Sequence, residues 1–158
     1  KCQSRTGDRG RRMEALARDY VKRAEARLVI AEEAFKRGYY PEAVRYSQEC
    51  VEFAVKAVME TLSIKYPPIH DVSALVLKLE KDPRLPEWFR KRARHVAEVV
   101  SGLAGKRIIA RYGDQIRKIP PSKLFDKRDA EKAIADAEEI RRLSERFVKW
   151  WFGRKSKR

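Results

Sequence analysis

Apolar positions recur with helical spacing along most of the chain, and no segment alternates with the period of two that a strand requires. The most apolar stretch is Tyr39 to Leu62, YYPEAVRYSQECVEFAVKAVMETL. Within it Ala43, Ser47, Cys50, Ala54, Ala57 and Thr61 step by four, three, four, three and four residues, which lays small side chains along one side of a helix. Val44, Val51, Phe53, Val55, Val58 and Leu62 widen that stripe over most of the helix surface. A helix apolar over most of its surface is predicted to be the central one of a bundle. Pro41 suits a first turn, where its missing N–H costs nothing, and Glu52 and Lys56 stand in the favourable order for an ion pair.

The flanking segments carry narrower stripes. Ala17, Tyr20, Ala24, Leu28, Ala31 and Phe35 predict a first helix over about 13–37, stopped by Gly38, and the short connection at 38–40 turns the central helix antiparallel to it. Pro67-Pro68 ends the central helix, and a short helical piece is expected from Val72 to about Lys81. Phe89, Ala93, Val96, Val100 and Leu103 predict a helix starting at Pro86, with Gly102 and Gly105 weakening its far end. Residues 113–126 are expected to be a loop, with Asp126 as N-cap of a last helix marked by Ile134, Ala137, Ile140, Ser144, Phe147 and Trp151 and ended by Gly153. Trp150, Trp151 and Phe152 are adjacent, so at least one is expected to be exposed or in an interface. The fold class is therefore all-α: an antiparallel up-and-down bundle of four main helices plus one short helix. Residues 1–12 lack an apolar period and are expected to be a disordered basic segment, 13–152 the bundle, and 153–158 a basic tail. Met13 could serve as an internal start.

Charge sharpens this picture. Lys and Arg number 38 against 23 Asp and Glu, a net +15. The excess is local: residues 1–12 net +4, 84–118 net +7 and 149–158 net +5, leaving the rest at −1. Such clustering points to nucleic acid, anionic lipid or an acidic protein as partner. Asn is absent, Gln occurs three times and 39% of residues are charged, a thermophile-like composition. Cys2 and Cys50 make no disulfide framework, and Cys50 on the central stripe is expected to be a buried thiol. No run of some 18 apolar residues suggests a membrane span, and no signal-peptide pattern opens the sequence, so a cytoplasmic location is expected. Two histidines without a cysteine cluster or H-x-x-x-H spacing give no metal signal, and no Gly-rich phosphate loop appears, so no metal or cofactor is expected.

Ala43, Ser47, Gln48, Glu52 and Lys56, followed by Pro67-Pro68 and His70-Asp71, form a pattern that resembles the HEPN family (higher eukaryotes and prokaryotes nucleotide-binding domain). Ala110-Arg111-Tyr112-Gly113-Asp114 resembles the Ala-Arg-Tyr-Pro-Asp segment of many prokaryotic members, with Gly113 in place of Pro. The resemblance covers roughly residues 13–150. It implies a helical domain that is usually a homodimer, often encoded beside a minimal nucleotidyltransferase, and in some systems a ribonuclease toxin. Arg90-x4-His95 resembles the R-x4-6-H motif of HEPN ribonucleases. In that family the motif is contributed by two protomers, the Arg neutralising phosphate and the His moving a proton at the ribose 2′-hydroxyl, without metal. Imidazole chemistry suits such a role. The competing reading is a solvated basic helix face: Arg90, Arg92 and Arg94 make the spacing easy to meet, five residues turn a helix by about 140°, and Lys91 departs from the family pattern.

Arg92, Arg94, Arg107, Arg111 and Tyr112 are the candidates for nucleic-acid contact, an Arg beside an aromatic being able to clamp phosphate and stack a base. Tyr112 covering the bundle end, with Arg111 ion-paired, is the alternative. His70 and Asp71 are either nucleotide contacts or, on the preferred reading, a turn in which Asp71 caps the following short helix. Two functions remain open: an RNA- or nucleotide-binding domain with ribonuclease activity in a toxin–antitoxin-type system, or a non-enzymatic module that docks an acidic protein such as a nucleotidyltransferase.

Overall fold

The computed structural model describes residues 3–69 and 71–155. Cys2, His70 and residues 156–158 of the basic tail lie outside them. Four long helices dominate: α1 (Gln3–Lys36), α2 (Tyr40–Thr61), α5 (Ala93–Tyr112) and α7 (Lys127–Lys155). Between them lie α3 (Ser73–Leu77), a 3-10 turn (Lys78–Lys81), α4 (Glu87–Arg90) and α6 (Pro121–Leu124). Among the described residues the only β pairing is the isolated bridge between Asp114 and Ile119.

α2 is the central helix, packed on α1, α5 and α7. All six small residues of its stripe are buried, from Ala43 to Thr61. Their size lets the neighbouring helices approach closely: Ala17, Ala24, Ala31 and Ala34 on α1 and Ala130, Ala133 and Ala137 on α7 are also buried. The Ser144 hydroxyl of α7 donates to the Ala54 carbonyl of α2 at 2.7 Å, whereas the Ser47 hydroxyl on the stripe is buried without a hydrogen-bond partner among the described residues. Larger side chains close the other side, with Phe89, Val96, Val100, Leu103, Ile140 and Phe147 in the same core.

The α1–α2 turn is a Schellman motif: Gly38 adopts φ 77°, Gly38 N–H donates to Phe35 O at 3.0 Å and Tyr39 N–H to Ala34 O at 2.9 Å. α2 ends in the same way on a non-glycine residue, Ser63, at φ 56°. Asp126 and Asp129 cap α7 reciprocally, each carboxylate accepting the other's backbone N–H, at 3.0 and 2.9 Å.

Several expectations are corrected. α1 begins at Gln3, not Met13. Once a helix exists, each added residue gains a hydrogen bond without a new nucleation cost, and Asp8 and Arg12 pair at 3.4 Å across one added turn. The helix expected from Pro86 is two, because residues 91–92 form a turn in which Arg92 N–H bonds back three residues to Phe89 O at 2.9 Å. α5 then runs through Gly102 and Gly105 without interruption. The expected loop at 113–126 contains α6 and a closed turn. α7 passes through Gly153, and Arg154 stacks over Trp150 and Trp151 at 4.5 and 5.0 Å. Trp150 and Trp151 are half-buried beneath that guanidinium, and Phe152 is buried.

Candidate functional site

The basic stretch at 84–118 does not form one face. Helix rise places Arg107 about 20 Å along α5 from Arg94. At the near end the charges are already matched: Arg92 pairs with Glu139 of α7, and Arg94 with Glu80 at 3.2 Å. Arg90 closes α4, half-buried, with its Nε lacking a hydrogen-bond partner. His95 turns toward α7, its Nε2 3.2 Å from Glu139 Oε2. Among the described residues no hydrogen bond links Arg90 to His95. His95, Asp136 and Glu139 offer three donor atoms within 4.8 Å of one another. Arg92 on Glu139 and Lys132 on Asp136 at 2.7 Å already balance the two carboxylates.

At the far end, Arg107 and Arg111 stand one helical turn apart and reach a groove formed with α1 and α2. One part of it, about 230 Å³, is lined by Arg27, Arg45, Gln48, Glu49, Phe53 and both arginines. A second part of about 630 Å³ shares Glu52 and Arg107 with the first and extends past Lys56 and Tyr66 to Pro67-Pro68. The floor of the groove is therefore the Gln48, Glu52, Lys56 row of α2, set at i, i+4 and i+8. Cations gather on its aromatic residues: Arg23 lies 4.2 Å and Lys56 5.8 Å from the Phe53 ring centre, and Lys56 lies 4.9 Å from that of Tyr66. Two carboxylates temper this charge, Glu49 held by Arg27 at 3.0 Å and Glu52 by Lys56 at 3.4 Å. Burial, reinforced by Glu52 and opposed by Arg107, pushes the Tyr66 phenol up to about 12, so it remains a hydrogen-bond donor at neutral pH.

Tyr112 is exposed, with the Arg111 guanidinium 5.7 Å from its ring centre. Asp71 accepts the Ser73 backbone N–H at 2.9 Å and the Ser101 hydroxyl at 3.2 Å, so both its oxygens hold the α3 turn onto α5. Its carboxyl is lowered chiefly by the Ser73 hydrogen bonds. His70, its sequence neighbour, is outside the described residues.

Sequence reasoning named Arg107 and Arg111 as candidates but not Arg27, Arg45, Phe53 and Tyr66, which line the same groove, nor Glu139 beside His95. Arg23 and Arg27, at i and i+4 on α1, were an available signal. Nothing local announces Glu139, which lies 44 residues from His95.

Comparison with known proteins agrees with this architecture. The model of the HEPN domain family matches residues 17–147. The curated protein "Putative toxin MJ1304" of Methanocaldococcus jannaschii is 28% identical over 141 residues, covering 88% of this chain and 92% of that protein. The crystal structure of TT1696 from Thermus thermophilus superposes with a TM-score of 0.66 at 25% identity, covering 82% of this chain and 96% of the other. That of ST0689, an archaeal HEPN homologue, gives 0.61 at 26% identity, covering 84% and 97%.

Proposed function

The chain belongs to the HEPN domain family, and on that footing we propose that it binds RNA along the groove between α1, α2 and α5. The observation that carries this reading is the convergence of Arg107 and Arg111 with Arg27 and Arg45, which Glu49 and Glu42 hold at 3.0 and 3.3 Å, around Phe53, with Tyr66 further along the same groove. Guanidinium groups take phosphates, and aromatic faces stack bases irrespective of sequence. An open groove in two connected parts suits a strand better than one enclosed nucleotide. Glu49 and Glu52 repel phosphate but accept base amino groups, which biases where the backbone and the bases lie. Fluorescence anisotropy with a single-stranded RNA tests the proposal. Arg107→Gln with Arg111→Gln weakens binding without melting the fold, and an unchanged affinity refutes it.

A second reading is favoured by the His95–Glu139 contact and by the toxin name of the Methanocaldococcus relative. Here the chain is a metal-independent ribonuclease of a toxin–antitoxin-type pair, with a minimal nucleotidyltransferase as partner. Glu139 orients the His95 ring, and His95 takes the 2′-hydroxyl proton as that oxygen attacks phosphorus; the P–O5′ bond breaks, the 5′-oxygen leaves with a proton from water, and a 2′,3′-cyclic phosphate remains. Arg90 of a second protomer in a homodimer neutralises the phosphate. Cleavage in the presence of EDTA that is lost in His95→Ala and in Arg90→Ala supports this role. Equal cleavage by His95→Ala and wild type, or a monomer by light scattering, refutes it. Among the described residues no helix is long and apolar enough to cross a membrane.

A further inference from the structure

The end of α5 and the turn after it present a surface that the groove does not use. Ile108 is 67% exposed, Tyr112, one helical turn on, 57%, and Ile116 in the turn 95%. An isoleucine left almost fully in water is ordinary when its segment is mobile, but this segment is held. Asp114 N–H donates to Ile119 O at 2.9 Å and Ile119 N–H to Asp114 O at 3.0 Å. Asp114 Oδ1 also accepts the backbone N–H groups of Ile116 and Arg117, at 3.0 and 2.9 Å. The turn thus fixes Ile116 in place, and binding through it loses little ordering entropy.

Charge identifies what fits. Arg107, Arg111, Arg117 and Lys118 occupy the stretch 107–118 against the single acidic residue Asp114, while Lys106 faces the other way, beside His95 and Asp136. Asp114 is engaged in the turn and lies 3.8 Å from Arg117. A second copy of the chain laid across this surface by two-fold symmetry would face four cations with four cations. An acidic segment with an apolar face matches both the isoleucines and the basic surround. We propose that this knob docks an acidic, amphipathic segment of a partner protein. Because Arg107 and Arg111 belong both to the groove and to the cations around Ile108, a docked segment competes with RNA for them. The docking itself stands apart from the RNA-binding reading; the competition rests on it.

The test uses the full chain and a fluorescent Glu/Leu peptide patterned as an amphipathic helix, with a Lys/Leu peptide of the same pattern as control. The Glu/Leu peptide is expected to bind and to displace a bound RNA oligonucleotide. Ile108→Ser with Ile116→Ser is expected to weaken the peptide at least about tenfold, the range of a truncated interface anchor, while RNA affinity stays at the wild-type value. Ile116→Ser alone, at a site outside the core, is expected to give part of that loss. Equal binding of both peptides, or a double variant that binds the Glu/Leu peptide like wild type, overturns the proposal. So does a wild-type dimer that becomes a monomer in the double variant, which would assign the knob to a second copy. Phosphatidylserine vesicles that bind the chain through the same isoleucines and exclude the peptide would assign it to lipid, and also overturn it. Peptide binding without RNA binding would refute only the RNA reading.

Discussion

Gly113 is where one methyl group should do the most damage for its size. Its φ of 74° and ψ of −167° lie in a region that is essentially closed to residues with a side chain. A Cβ there would stand 2.2 Å from the Ile119 backbone oxygen and 3.0 Å from Pro121 Cδ. Neither neighbour is the far end of a flexible side chain, so the contact cannot be relieved by a rotamer change. Gly113→Ala must either accept the strain, about 1–3 kcal/mol before the clash, or open the Asp114–Ile119 pairing. Opening forfeits two backbone hydrogen bonds, each worth about 1 kcal/mol net, so the expected loss is about 2–4 kcal/mol. For a chain of this size a loss of 1 kcal/mol lowers the melting temperature by about 2–4 °C, and a shift of about 4–16 °C follows. Urea unfolding gives the free energy, and amide exchange at Ile119 reports whether the turn has opened. An unchanged urea midpoint with Ile119 still protected would refute the reasoning.

Ala54→Glu should unfold the protein: Ala54 is fully buried, and an unpaired charge there costs several kcal/mol against a typical stability of ~5–15 kcal/mol. A cooperative melt within a few degrees of wild type would show that this seam is not buried. Ser63→Gly should stabilise by about 0.5–1 kcal/mol, since Ser63 holds a left-handed conformation at φ 56° that glycine adopts without strain; a lower urea midpoint would contradict this. Stability should also fall at both ends of the pH scale. Burial raises Cys50 from 9.0 and Tyr66 from 10.0 to about 12, so what they contribute is complete below those ordinary values and is lost as pH rises toward 12. The Arg84 hydrogen bond on Asp82 and the Lys149 hydrogen bond on Glu145 lower those carboxyls, so their contribution is present above the ordinary carboxylate range and is lost as pH falls through it. Thermal melts across pH check both arms, and a melting temperature that still climbs above pH 10 would contradict the alkaline one.

What was legible in the sequence was what short-range periodicity encodes. The Ala43–Thr61 stripe, the Gly38 turn and the Asp126 cap each depend on residues within a few positions, and each is where the pattern puts it. The break between α4 and α5 was hidden because the stripe Phe89, Ala93, Val96 keeps its helical spacing through the turn at 91–92. The turn at Gly113 was hidden because its closure is made by Ile119, across a segment whose glycine and prolines suggest only a loop. The groove escaped for another reason. Its cations come from α1, α2 and α5, and only the packing of those helices shows that Arg27 and Arg107 line the same groove. The clustering of charge at 84–118 pointed to α5, but not to which end. Ion pairing with Glu80 and Glu139, remote in sequence, absorbs Arg94 and Arg92.

The salt dependence of RNA affinity separates the two ends of α5 most directly. Each phosphate contact to a single strand contributes about −0.7 to the slope of log affinity against log salt. Arg107→Gln with Arg111→Gln should weaken binding and flatten the slope by about 1.4. Arg94→Gln, whose charge is already matched by Glu80 at 3.2 Å, should leave the slope unchanged. A slope that stays at the wild-type value in the Arg107/Arg111 variant and flattens in Arg94→Gln would move the RNA to the other end of α5 and contradict the groove.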